Sequence, residues 1–438
     1  MKTIKIISEN IKDLIDSIDG ESIVLPQDPI SLNKFHYSKE IEDDTCYVLA
    51  ASPDDMNPLN YNGIQIALKL YFRHLQENKL SFFILFLGYE TKQNFFFDCD
   101  YSLVLRCPNF SYKQITFDFK IDIPESITAI DSKSAIESLK KVGIKPPESY
   151  KSHHSVSNEW AISRWSQYLE FETELEKETE TSLYFEYLKT INQITKVETN
   201  KNYLVSEGKI LLIDDEEGKG WSSFFGNLKL PNSKLKIESI GRNFKKAISQ
   251  DLILKECENK IIAFQPETVV LDLRLHDSDF DIDNPLELTG FKILEKIKKE
   301  INPGIQVILF TASNKIWNYQ ALSIIGFDGW ITKESPELSS DSQFTQKAIK
   351  ELKDQIDTCQ KRAKFLMTLS NSLVDIKRKI KKNKLFDSRE DELRNKINAN
   401  LDVTFDLLNK ATSGEEYKKY FNYAYLQLFL RVEEFLNI

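Results

Sequence analysis

The sequence predicts a multidomain α/β protein whose central part is a doubly wound parallel sheet, followed by an all-helical C-terminal part. Three observations lead there. The chain has 438 residues, enough for about three cores at ~100–200 residues per domain. Short apolar runs alternate with helical patterns over 1–115 and again over 205–338, and strands separated by helices pair in parallel through crossovers. Beyond Pro336 the strand signals stop and only long helical patterns remain.

In order, the first segment (1–115) reads TIKIIS, a helix near Asn10 to Ser17, CYVLAAS, a helix from Gly63 to Leu75, FFILFLG and YSLVLRC. From about Ser126 to Asn200 the pattern is helical, interrupted by Pro146 and Pro147 and carrying an acidic run from Glu170 to Glu180, so 116–204 reads as a helical connector. The second strand–helix segment, 205–338, reads KILLIDD, LKIESIG, a helix near Asn243 to Asn259, TVVLDLRL, a helix from Gly290 to Lys299, QVILFTAS, a helix near Trp317 to Ile325, and GWITKES. Nine of the 14 glycines lie between Gly208 and Gly329, as five strands joined by tight turns require. Residues 339–438 form the expected helical C-terminal domain.

Composition removes several function classes. A net charge of -9 gives no broadly basic surface, so nucleic acid is not an expected partner. The apolar fraction of 41% fills packed cores and excludes global disorder. Five scattered cysteines (Cys46, Cys99, Cys107, Cys257, Cys359) lack zinc-finger spacing and point to a reducing compartment. The N-terminus carries charges throughout, unlike a signal peptide, and apolar runs such as Phe82 to Gly88 fall far short of the ~20 residues of a membrane span. The expected location is cytoplasmic, with no membrane partner.

The informative polar residues follow the apolar strands of 205–338. Asp214 and Asp215 follow ILLI, Asp272 follows TVVL, Thr311 follows QVILF, and Lys333 follows GWIT. In a doubly wound sheet the ligand site lies at the carboxyl ends of the strands. Carboxylates converging there need a compensating cation, and an oxygen-rich donor set suits Mg²⁺.

This constellation resembles the receiver domain of two-component response regulators over about 130 of the 438 residues. The resemblance implies a flavodoxin-like, five-stranded parallel sheet in which Asp272 is the phosphoacceptor, Asp214, Asp215, Asp272 and the backbone carbonyl of Arg274 hold Mg²⁺, and Thr311 and Lys333 contact the phosphoryl oxygens. Ala312 is small, as the family's phosphoryl access requires, and Trp330 stands where the family places a switch aromatic, usually Tyr or Phe. Two departures stand out. An acidic insert, HDSDFDIDNPLE, lengthens the Asp272 to Thr311 spacing, and Glu334 replaces the family's Pro after the lysine, with Pro336 two residues on.

The N-terminal segment overlays on the same pattern in degenerate form: YVLAASP resembles VVLDLRL with Ala50 in place of Asp272, and FFILFLG resembles QVILFTA with Leu87 in place of Thr311. Neither can accept or hold a phosphoryl group. Other features read blandly. His153 and His154 lack the surroundings of a phosphorelay histidine; GKG at Gly218 to Gly220 lacks P-loop spacing; KRKIKKNK, within Lys377 to Lys384, is a solvated helix face; and YKKYFNYAYLQLFLRVEEFL has the three-and-four spacing of a packed helix or dimer contact.

The resulting expectation is a bacterial response regulator that takes a phosphoryl group on Asp272 from a histidine kinase or phosphotransfer protein and signals through protein contacts, with an effector protein or a second copy as partner. Beyond Mg²⁺-dependent phosphorylation and dephosphorylation of its own aspartate, no classical enzyme activity is expected. Two other outputs fit the same pattern: a phosphate sink or decoy in a two-component-like bacterial defence system, and a nucleic-acid-binding regulator using the C-terminal helices.

Overall fold

The computed structural model describes residues 1–8, 11–16, 18–26, 35, 37–53, 62–147, 153–171, 182–194, 204, 207–230, 232–244, 249–282, 284–312, 326–382, 390–411 and 417–436. The chain divides into two units: Met1–Ser163 with Glu174–Glu198 and Ser335–Phe344, and Arg164–Thr173 with Thr199–Glu334 and Thr345–Ile438.

The first unit is built on β1 (Lys2–Ile7), β2 (Glu21–Val24), β3 (Thr45–Ala50), β4 (Phe82–Gly88) and β5 (Phe110–Gln114), all parallel in the order β2-β1-β3-β4-β5. Every residue of β3 is buried, because a central parallel strand is covered on both faces. One face packs Ile4, Ile6, Leu49 and Phe86 with helix Asn62–Gln76, whose apolar residues recur at helical spacing. The other carries a smaller cluster that includes Ile7, Val48, Ala50 and Leu87.

Two strand readings change here. YSLVLRC is not the fifth strand: Ser102–Arg106 winds as a 3₁₀ helix that buries Ser102 and Val104, and the strand is the next segment, Phe110–Gln114. A short apolar run has no period long enough to separate the two conformations. The edge strand Glu21–Val24 alternates half-buried and exposed residues and carries too little apolar signal to be read.

His74 is fully buried in this unit. It stacks on Phe82, with ring centroids 4.0 Å apart, and its Nδ1–H donates to the Lys79 carbonyl at 2.7 Å, leaving Nε2 to accept from the Tyr47 hydroxyl at 3.0 Å. Burial lowers its pKa from 6.5 to about 4. The unfolded chain therefore takes up the proton first as pH falls, and stability is lost from pH 6.5 down towards 4. Between pH 7 and pH 5 this single group removes about 2 kcal/mol. Unfolding of the wild type and of His74→Gln at the two pH values measures it; equal pH sensitivity of the two proteins would refute it.

The second unit contains β6 (Gly208–Ile213), β7 (Leu235–Ile240), β8 (Thr268–Leu271), β9 (Gln306–Thr311) and β10 (Gly329–Thr332), again all parallel. Their order, β7-β6-β8-β9-β10, is the same 2-1-3-4-5 order as the first sheet, the order of flavodoxin-like folds. The helix expected near Asn243 to Asn259 runs over Gln250–Phe264, capped by Ser249, whose side chain accepts from the Leu252 amide. The helix expected near Trp317 to Ile325 lies outside the described residues. The C-terminal region is helical: Phe344–Lys382, Glu390–Ala411 and Tyr417–Leu436. Leu366 and Leu373 of its first helix cluster with Leu401 and Phe405 of its second. No helix among the described residues is long and apolar enough to cross a membrane, and all five cysteines are buried free thiols.

Candidate functional site

The carboxyl ends of β6 and β8 place Asp214, Asp215 and Asp272 together. Each offers a carboxylate oxygen, and these atoms lie within 4.8 Å of one another in a buried setting. The placement is local in origin. Ile213 and Leu271 pair across β6 and β8, so the residues that follow leave the sheet side by side, and the Asp272 amide donates to the Ile213 carbonyl at 2.9 Å. Gly290, the second residue of helix Thr289–Lys296, sits so close that a methyl group there would overlap the Asp272 carbonyl oxygen. That close approach explains a glycine inside a helix's first turn.

Lys333 enters from the end of β10. Its amide donates to the Thr311 carbonyl at 2.8 Å, and its ammonium donates to Asp214 Oδ2 at 2.7 Å and to Asp272 Oδ2 at 2.9 Å. The Phe310 and Trp221 rings flank the ammonium, with centroids 4.8 and 5.4 Å away. Burial alone would lower the Lys333 pKa, but Asp214 and Asp272 outweigh it and raise it, so the side chain is held charged. Asp214 is raised, first by burial and then by the neighbouring Asp272, against the lowering by Lys333. The second oxygens are tethered by the backbone: Asp214 Oδ1 accepts from the Glu216 amide at 2.8 Å, and Asp272 Oδ1 from the Leu273 amide at 2.6 Å.

Three buried carboxyl groups converge here, and among the described residues Lys333 bridges two of them. An all-oxygen donor set fits a hard divalent cation such as Mg²⁺ and fits poorly with softer metals.

The remaining sequence-derived residues fall around this cluster in different ways. Thr311 ends β9, is buried, and sits beside Thr332 in the ladder. Arg274 lies two residues beyond Asp272, its guanidinium over the Phe280 ring at 5.5 Å. Trp330 is on β10 and 45% exposed, near Phe327, rather than packed among the site residues. The acidic insert is not loose. It forms two 3₁₀ turns closed by the buried Asp279, which accepts from the amides of Leu275, His276 and Thr289 and from the Thr289 hydroxyl. In the basic run, Lys377 pairs with Asp402 at 2.5 Å and Arg378 with Asp375 at 3.0 Å. His153 and His154 open helix His153–Leu169, and their side chains lie outside what is described.

The sequence reading missed a buried acid beside the site. Glu334 is fully buried, accepts from Trp165 Nε1–H at 3.0 Å and from the Thr345 hydroxyl at 2.8 Å, and has Arg164 at 3.6 Å. Trp165 in turn packs edge-on against Trp221 and beside Phe310, the two rings that flank Lys333. The peptide after Lys333 is trans, since the described residues contain no cis bond. The one available signal was Glu334 in place of the family's proline; Trp165, 169 positions away, carried none.

The first sheet repeats the geometry without the chemistry. Ile6 pairs with Leu49 as Ile213 pairs with Leu271, which sets Ile7, Ser8 and Ala50 at the positions of Asp214, Asp215 and Asp272. Gly63 crowds the Ala50 carbonyl as Gly290 crowds that of Asp272. At the fourth strand the ladder corrects the sequence overlay by one residue. The Ile115 amide donates to the Gly88 carbonyl at 2.7 Å just as the Lys333 amide donates to that of Thr311, so Gly88, not Leu87, is the counterpart of Thr311, and Ile115 that of Lys333. Ile7, Ala50 and Leu87 belong to one apolar cluster with Ile115 packed against it.

No protein-family model matches the chain, and no curated protein matches it. Among solved structures, a protein described as a response regulator from Chloroflexus aurantiacus J-10-fl is similar at 12% identity with a TM-score of 0.23, covering 34% of this chain and 98% of its own.

Proposed function

We propose that the second unit is a phosphoacceptor module of the response-regulator type, in which Asp272 receives a phosphoryl group from a histidine kinase or phosphotransfer protein. The observation that carries this reading is the buried convergence of Asp214, Asp215 and Asp272 with Lys333 bridging two of them. An Asp272 carboxylate oxygen attacks phosphorus in line, the P–N bond of the donor phosphohistidine breaks with its electron pair passing to the imidazole, and an acyl phosphate forms. Asp214, Asp215, Asp272 and the Arg274 carbonyl would hold Mg²⁺, which would supply positive charge to offset that of the phosphoryl oxygens.

Lys333 is already held charged against Asp272 and passes one of its hydrogen bonds to a phosphoryl oxygen. Thr311, at the end of the neighbouring strand, supplies a hydroxyl donor. The Leu273 amide keeps one Asp272 oxygen fixed, which leaves Oδ2 as the nucleophile. Output then passes through protein contacts rather than through a reaction product, with Trp330 as an exposed reporter on β10 and the helical C-terminal region as the effector side.

Incubation of the full chain with Mg²⁺ and acetyl phosphate is expected to add the mass of one phosphoryl group, read by intact mass spectrometry. Asp272→Asn abolishes the addition and EDTA suppresses it. A folded wild-type protein that gains no mass at saturating donor and Mg²⁺ overturns the assignment.

A further inference from the structure

The acidic insert that follows β8 is folded around one side chain. Asp279 is fully buried, and both of its carboxylate oxygens are taken up by neighbouring donors. Oδ2 accepts from the amides of Leu275 at 2.9 Å and His276 at 3.0 Å. Oδ1 accepts from the Thr289 amide at 3.2 Å, the Thr289 hydroxyl at 2.9 Å and Gln250 Nε2–H at 2.6 Å. Gln250 is fixed in its turn by Lys292, whose ammonium donates to its side-chain oxygen at 2.6 Å. One carboxylate therefore joins the chain just past Asp272, the start of helix Thr289–Lys296 and the start of helix Gln250–Phe264.

What these bonds hold in place is the backbone around Arg274. The Leu275 N–H and the Arg274 carbonyl belong to one peptide group, which is planar and trans, so tying the N–H to Asp279 fixes the carbonyl on the opposite side. The Arg274 side chain is held by the next residue of the insert, its guanidinium lying over the Phe280 ring at 5.5 Å. One residue earlier, the Leu273 carbonyl accepts from the Gly290 amide at 3.1 Å, and Gly290 directly follows the Thr289 that Asp279 binds. The Arg274 carbonyl is the one backbone group among the ligands assigned above to Mg²⁺, and no side-chain torsion can adjust its direction.

We propose that Asp279 is a positioning residue for the cation: by fixing the peptide between Arg274 and Leu275 it presets the direction of that carbonyl. The inference rests on the phosphoacceptor reading above and adds to it a residue that touches neither metal nor phosphoryl group. Its signature is selectivity. Mg²⁺ demands near-octahedral oxygens at ~2.0–2.1 Å, whereas Ca²⁺ accepts a flexible set at ~2.3–2.6 Å, so a carbonyl freed to move costs Mg²⁺ more than Ca²⁺.

Asp279→Asn keeps the size of the side chain but must turn its NH2 group towards backbone N–H donors on one side or the other, at Leu275 and His276 or at Thr289. Asp279→Ala removes both sets of bonds, and either variant alone gives the reading. Thermal unfolding of the metal-stripped full chain, repeated at rising Mg²⁺ and at rising Ca²⁺, separates the two roles of a buried aspartate. The midpoint without cation reads general stability, and its rise with cation reads the affinity of the folded state. Both variants are expected to lose about 10-fold in Mg²⁺ affinity while Ca²⁺ affinity falls by less than about 3-fold, whatever the midpoint without cation. Equal losses for the two cations, or an unchanged Mg²⁺ affinity in a folded variant, overturn the proposal and leave the phosphoacceptor reading standing. A wild-type midpoint that Mg²⁺ does not move overturns that reading and this one with it.

Discussion

Replacing Lys333 with methionine is expected to lower the stability of the second unit by about 3–5 kcal/mol, the cost of leaving buried carboxylates without their counter-charge. The side chain is fully enclosed, bridges Asp214 and Asp272 at 2.7 and 2.9 Å, and lies against two aromatic rings, so no water can take over its hydrogen bonds. Methionine keeps most of the packing, which isolates the charge. Two companion measurements make the cause specific. Adding Asp214→Asn to the methionine variant should recover more than 1 kcal/mol, because a like-charge repulsion is removed. Mg²⁺ should raise the unfolding midpoint of the Lys333 variant more than that of the wild type, since a cation bound only by the folded state stabilises it by mass action. Chemical unfolding followed by tryptophan fluorescence reads all three, with Trp221 and Trp165 buried beside the lysine. A loss below 1 kcal/mol, or a midpoint insensitive to Mg²⁺ in both proteins, would mean that the carboxylates are not the charged cluster described here.

The converse substitution in the first unit should cost a similar amount. Ala50 occupies the place of Asp272 but sits in an apolar cluster with Ile7, Val48 and Leu87, with Ile115 where Lys333 would be. Ala50→Asp buries a carboxyl where Ile115 stands in the place of the lysine, an expected loss of about 3–5 kcal/mol at pH 7. Burial raises the pKa of the introduced carboxyl above its unfolded value, so the penalty belongs to the charged form and shrinks as pH falls through that raised value. The deficit relative to wild type is therefore smaller at pH 5 than at pH 7. Ile115→Lys in the same chain should return about 1–3 kcal/mol, the coupling expected of contacting residues. Additive losses from the two changes would show that the two sheet edges are not built on one plan.

These two experiments probe one backbone geometry finished in two ways. In the second unit a sheet edge is lined with buried charge that must be balanced, which costs stability. In the first, Ile7, Ala50 and Ile115 stand in the places of Asp214, Asp272 and Lys333, with Ser8 in that of Asp215, and replacing a buried ionic cluster largely by apolar side chains is commonly neutral or stabilising. The shared fold therefore assigns no activity to either unit.

What was legible in the sequence was whatever is local and polar. Asp214, Asp215, Asp272, Thr311 and Lys333 were readable because each polar side chain interrupts or ends an apolar strand, and the period of the flanking run fixes where that strand stops. The strand–helix alternation likewise fixed two parallel α/β sheets and a helical C-terminal region, because each pattern is set within ten or fifteen residues. Where the chain is apolar on both sides of a boundary the pattern has no marker. FFILFLG could be slid by one residue, and only the ladder from Gly88 to Ile115 settled its register; YSLVLRC passed for a strand because a five-residue apolar run fits either conformation. The partners of Lys333 beyond its carboxylates, Trp221 and Phe310, and the burial of Glu334 by Trp165 and Thr345 depend on contacts across scores of residues, for which one sequence carries no signal. The three-and-four spacing of the last helix is legible in the sequence, but which of its residues pack against helix Glu390–Ala411, Ala424 and Gln427 among them, is a property of packing, and only the tertiary structure decided it.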